Sequence, residues 1–393
     1  GNVTTLGTNS TVSHVNSNQY MNIEVMRNHS ELFRAECMRL ISEADKSCKR
    51  LQNNDNKQLD QRVRDIQFLK KELELKLEEI ILDIDVLIAL QSRVEKALEA
   101  CKDPLRVTVL CLEERMKRLP SERLHDEVDR ELLKEREAIE GVASLLQRVI
   151  EQTTEQIRLN RSAKYQLEKD LKEKYEAQCI DNFCASMTTH SIENLQHAYA
   201  WMVTPKQWEN ISDINIAKAE QQKNNSLSLR ALVEALLEQT SADMQKQFQA
   251  TTAAFQQNVQ EIKSAKSQME DQLAKILLEF ASQQRISGDL QVAVTENEHA
   301  LGLAQARLAL RRQRPAKEQC HDPAQSRLLA EVQQLAFQIS KLREAVAQSE
   351  KEQRALVRCQ LELQKNIEIK ANSLYIDEVI CAQHREPIII HNF

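Results

Sequence analysis

The stretch LDQRVRDIQFLKKELELKLEEIILDIDVLIALQSRVEKALEA, Leu59 to Ala100, decides the fold. Steps of four and three residues taken alternately from Leu59 land on Val63, Ile66, Lys70, Leu73, Leu77, Ile80, Ile84, Leu87, Gln91, Val94 and Leu98. Ten of these twelve positions are apolar, which is the seam of a heptad helix rather than the alternation of a strand. Neither Gly nor Pro interrupts the chain from about Met21 through Leu32, Met38 and Leu40 to the seam's end before Pro104. At 1.5 Å per residue, some 80 helical residues span roughly 120 Å, which no single compact domain contains.

Composition extends this reading to the whole chain. Among 393 residues there are five Gly and six Pro, about a quarter of what average usage supplies, so few turns are available. Aromatics make up 4% and charged residues 28%, which suits long solvated helices and not a large globular core. The expected fold is all-α: a long coiled-coil rod of about four helical segments in two duplicated halves, joined by Pro-containing loops. A non-periodic, Asn-, Ser- and Thr-rich stretch over 1–17 reads as a flexible arm. After it come a long helix over 18–101, a loop over 102–123 bracketed by Pro104 and Pro120, and a shorter helix over 124–178. An aromatic-rich linker over 179–211 carries Trp201 and Trp208, read as anchors of a loop against helices. The second half repeats the order: a long helix over 212–311, a loop over 312–325 and a last helix over 326–373, with a tail over 374–393 whose Pro387–Phe393 end suits docking on a partner or covering a helix end. Loop prolines at 104 and 315 give an internal duplication at a period of about 210 residues.

Charge and motifs exclude several function classes. Fifty-three basic against 59 acidic residues, well mixed, leave no footprint for nucleic acid or an anionic membrane. The longest apolar runs, such as Ile388–Ile390, are far short of a bilayer span. Nine scattered cysteines without Cys-x-x-Cys spacing read as free thiols in a reducing compartment, and six Asn-x-Ser/Thr triplets without a hydrophobic leader read as chance. No phosphate-cradling glycine loop, nucleophile elbow or zinc-helix motif occurs, so no catalytic, cofactor or metal residues are expected. Cys320-His321-Asp322 does not alter this, because adjacent side chains rarely converge and further ligands are lacking.

The loop sequence Arg314-Pro-Ala-Lys-Glu-Gln-Cys-His-Asp322 resembles the signature nonapeptide of the tektin family, Arg-Pro-Asn-Val-Glu-Leu-Cys-Arg-Asp. It matches at Arg314, Pro315, Glu318, Cys320 and Asp322 and departs at Ala316, Lys317, Gln319 and His321. Further tektin-like stretches follow in family order: Arg27–Ser30, Gln61–Ile66, Leu98–Pro104, Cys111–Arg115, Leu124–Val128 and Lys370–Asp377, so the resemblance covers about residues 20 to 385. It implies a non-enzymatic filament component of the cytoskeleton of cilia and flagella, bound inside the A-tubule of axonemal doublet microtubules. The implied partners are tubulin, other tektins and other microtubule inner proteins, with end-to-end self-association. On this reading the five matched loop residues form a protein-contact loop. A cytoplasmic coiled-coil scaffold outside the axoneme is the alternative.

Overall fold

The computed structural model describes residues 6–189 and 202–393, with side chains from residue 17 onward. Every regular element among them is helical. The four long helices are α1 (Leu6–Ala100), α3 (Glu127–Ser186), α4 (Pro205–Arg311) and α5 (Pro323–Tyr375). A short α2 (Lys102–Met116) follows α1, and a π-helical turn (Ile376–Cys381) joins α5 to α6 (Ala382–Arg385).

Local chemistry explains where these boundaries depart from the expectations. Within the flexible arm expected over 1–17, helix begins at Leu6: Ser, Thr and Asn cost only about 0.5–0.7 kcal/mol each relative to Ala, and no proline stops propagation. Much of the loop expected over 102–123 is likewise helix, because Pro104 lies in the first turn of α2, where its missing N–H is not needed. The break between α1 and α2 is confined to Cys101, whose N–H still reaches the Leu98 carbonyl at 3.2 Å and whose carbonyl accepts from Leu105 N–H at 3.2 Å. The true first loop is 117–126. At α4, Thr204 and Gln207 form a reciprocal cap: Gln207 N–H donates to Thr204 Oγ1 at 3.1 Å and Thr204 N–H to Gln207 Oε1 at 2.9 Å. With Pro205 at the first helical position, that cap starts the helix seven residues before the expected 212. At the far end, helix continues past the expected stop at 373 to Arg385.

The chain forms two compact units. The first comprises residues 1–91 and 152–231. Here the α1 seam turns inward at Val63, Ile66, Leu73, Ile80, Ile84 and Leu87. Where the four-three stepping meets Lys70 and Gln91, the neighbouring Leu69 and Leu90 are buried instead, so the polar members stay nearer solvent. Leu73 and Ile80 pack with Leu167 of α3 and Ala219 of α4, each such large side chain contributing about 1.5–3 kcal/mol. A polar layer crosses the same bundle: Gln156 donates to Asn160 at 2.9 Å and to Gln222 at 2.8 Å, and the buried Asn160 donates to Ser226 at 2.8 Å. Toward the start of α1, by contrast, the apolar side chains from Tyr20 to Leu51 stand largely in the open, with Leu32 71% and Met38 68% exposed.

The second unit comprises residues 92–151 and 232–393. Its core gathers Val107 and Cys111 of α2, Val128 and Leu132 of α3, Phe255 of α4, and Ile376 and Cys381 of the π-turn. The C-terminal tail lies along its own unit: Gln245 donates to the Ile390 carbonyl at 2.8 Å and Arg93 to that of Phe393 at 2.8 Å.

Candidate protein-contact site: two copies of one arginine clamp

The loop of the second unit that carries the expected site residues is tied together from within. Arg314 Nε donates to the Arg311 carbonyl at 3.0 Å, and its Nη1 meets Asp322 Oδ2 at 3.3 Å. Arg311 binds the same Asp322 oxygen, while its Nε donates to Gln325 Oε1 at 3.2 Å. Asp322 also caps α5, its Oδ1 accepting the Gln325 N–H at 2.8 Å. That backbone N–H, followed by Arg311 and Arg314, holds the Asp322 carboxyl below its ordinary value of 3.8. Pro315 is extended, with ψ 154°, and leads into a 3₁₀ turn over Ala316–Glu318. Pro315, Glu318 and Cys320 are exposed, whereas Arg314 and Asp322 are half-buried against each other. The structure therefore joins Arg314 with Asp322 and leaves the other three facing solvent.

The other expected residues lie elsewhere. Trp208 sits in the first unit with the Arg62 guanidinium 3.7 Å and the Lys174 ammonium 4.6 Å from its ring centroid. Trp201 lies outside the described residues. No group of three His, Cys, Asp or Glu able to hold a metal is present among the described residues.

Sequence reasoning missed the clamp's double. In the first loop, Arg118 Nε donates to the Arg115 carbonyl at 2.8 Å and its Nη1 meets Asp126 Oδ2 at 3.3 Å. Arg115 binds that Asp126 oxygen, and Asp126 Oδ1 accepts the Asp129 N–H at 2.9 Å to cap α3. Arg115 Nε reaches Asp129 at 2.8 Å, in the place where Arg311 Nε reaches Gln325. Even the turn repeats: Glu122 N–H donates to the Leu119 carbonyl and Glu318 N–H to that of Pro315, both at 2.8 Å. The signal was present as Arg-x-x-Arg-x-x-x-Glu-x-x-His-Asp, which occurs at 115–126 and again at 311–322. The repeat is thus 196 residues. Aligning Pro104 with Pro315 obscured it, because Pro104 belongs to a helix and not to the loop.

The two copies differ in what covers them. Arg115 is 1% exposed, and its Nη1 binds Asp377 of the π-turn, which is itself held by Asn258 of α4. Burial lowers the Arg115 pKa, but Asp377, Asp126 and Asp129 outweigh it and leave it raised, so the guanidinium is locked in its charged form. Burial raises the Asp377 carboxyl, with Arg115 opposing it. Arg385 closes the first clamp's surroundings with a buried ion pair to Glu135 at 2.9 Å. In the second copy the side chain of Arg311 is 25% exposed, and no group among the described residues meets its Nη1.

The sequence profile of the Tektin family matches residues 13–389, bracketing both clamps. This chain belongs to the tektin family. Tektin-4 of Xenopus laevis is 34% identical over 364 residues, covering 91% of this chain and 82% of the relative. Human tektin-4 is 35% identical over 330 residues, 83% of this chain and 76% of the relative, and mouse tektin-4 is 32% identical over 364 residues, 91% and 81%. Membership gives this tektin a filament-type structural role in the cytoskeleton of cilia or flagella, in a family that is structural and not enzymatic. No helix among the described residues is long and apolar enough to cross a membrane.

Proposed function

We propose that this tektin is a filament-forming microtubule inner protein, lying in the lumen of the A-tubule of axonemal doublets, where it adds to doublet stability and to the motility of cilia or sperm flagella. The family match over 13–389 carries the reading. Its physical support is the combination of long unbroken helices, which resist bending, with near-balanced mixed charge, which permits close lateral association with tubulin and with other tektins. End-to-end self-association is supported by the bare apolar stretch of α1, since contiguous exposed apolar surface marks interaction sites. The nonapeptide loop is the proposed protein-contact element. Arg314 and Asp322 act there by holding the turn that presents Pro315, Glu318 and Cys320.

The test is to tag the chain in a motile-ciliated or sperm-producing cell, isolate axonemes, and extract with detergent and high salt. Retention along the doublets is expected. Release with membrane and matrix would leave a cytoplasmic coiled-coil scaffold.

A further inference from the structure

The first clamp shows what the second one lacks. Asp377 is delivered to Arg115 by a helical segment that also covers the neighbouring apolar positions of α2. Val107, eight residues before Arg115, is 2% exposed in that cluster; Leu303, eight residues before Arg311, is 54% exposed. The open guanidinium edge of Arg311 and the bare Leu303 lie along one helix, spaced as the covered pair is. Two independent features, one polar and one apolar, thus mark the place of an absent helix that carries a carboxylate beside an apolar residue.

The chain itself holds such a helix, whose apolar side chains stand uncovered among the described residues. Between residues 17 and 45, α1 carries five acidic and three basic residues, while residues 303–327 carry six basic and two acidic. Glu31, Glu36, Glu43 and Asp45 are each within an ion pair of their own helix. Among the described residues Glu24 is in none, and it follows Ile23, 64% exposed, as Asp377 follows Ile376. Tyr20, Met21 and Met26 beside it are also more than half exposed.

Resting on the filament reading, we infer that the second clamp is an interchain acceptor: Arg311 takes the carboxylate of Glu24 from a second copy of this chain, while Ile23 and its neighbours cover Leu303. The contact reproduces between molecules what Asp377 and Ile376 do within one. Both chains keep their own clamp bonds, because only the unused Nη1 edge of Arg311 is engaged.

The experiment uses the full chain and reads self-association by sedimentation velocity, with helicity followed by circular dichroism. Glu24→Arg and Arg311→Glu are each expected to weaken association at least about tenfold, equivalent to roughly 1.4 kcal/mol. The double exchange is expected to restore part of it, since the change at 311 also removes the bonds of Arg311 to Asp322 and Gln325. Leu303→Asp, at an exposed position that leaves the clamp intact, should weaken association alike with helicity unchanged. Association that survives all three single changes overturns the inference while leaving end-to-end assembly standing. Single changes that weaken association without rescue by the double exchange overturn the Glu24 pairing. A wild-type chain that stays monomeric overturns both the inference and the filament reading.

Discussion

The loops at 115–126 and 311–322 share a backbone turn, a cap, two arginines and an aspartate, yet one is sealed and the other open. The difference lies in the third ligand of the first arginine: Asp377 for Arg115, none among the described residues for Arg311. One local design therefore serves two ends. Buried and fully paired, it locks the helix termini of a core; half-exposed, it leaves charge and apolar surface uncovered. The lesson is that the same residues are sealed or left open according to what a distant part of the chain lays across them.

The largest way to break the comparison is Arg115→Ala. It strips the fully buried Asp377 of its cationic partner and leaves Asp126 and Asp129 to Arg118 alone, and should cost about 3–5 kcal/mol in chemical denaturation. Arg311→Ala should barely move the same midpoint, because its aspartate remains solvated and capped to α5. Equal losses would mean that the second loop is as much a part of the core as the first. Next in size is Asp377→Ala, which opens the first clamp in the manner of the second. It should cost about 3 kcal/mol and make Arg115 Nη1 accessible, seen as faster exchange of its guanidinium protons by NMR.

A smaller change sharpens the comparison from the other side. Gln325→Asp gives Arg311 the carboxylate that Arg115 has in Asp129, and amide exchange across residues 312–325 should slow. Smallest is the effect of acid on the second loop. Asp322 has a folded pKa depressed below 3.8, so its contribution is fully present above that value and is lost as pH falls through the lower folded value. Protection of the Gln325 amide should therefore persist at pH 4 and fade only as the pH falls below 3.8. Loss of protection already at pH 5 would show that the cap is not what holds the first turn of α5.

Much of the fold was legible because heptad spacing and scarce Gly and Pro are properties of the chain alone. The seam from Leu59 to Leu98 names most of the buried α1 residues of the first unit; the second loop runs over 312–322, with Pro315 inside it and Pro323 the first residue of α5. What misled were prolines in helical first turns: Pro104 and Pro205 begin helices that composition had assigned to a loop and a linker. The site was half legible. Arg314 and Asp322 were found through the nonapeptide, but Arg311 lies three residues outside it, and its meaning appears only beside Arg115. The role of Asp377 was not readable at all, since pairing over 262 positions depends on how α5 and the π-turn return to α2.

The most direct test of a sealed clamp for folding and an open clamp for assembly is one paired measurement. Wild-type, Arg115→Ala and Arg311→Ala chains would be compared for thermal midpoint in solution and for retention in salt-extracted axonemes. The account predicts that Arg115→Ala loses thermal stability, whereas Arg311→Ala melts like wild type and is washed out of the axoneme. An Arg311→Ala chain that stays in the axoneme as firmly as wild type would contradict it.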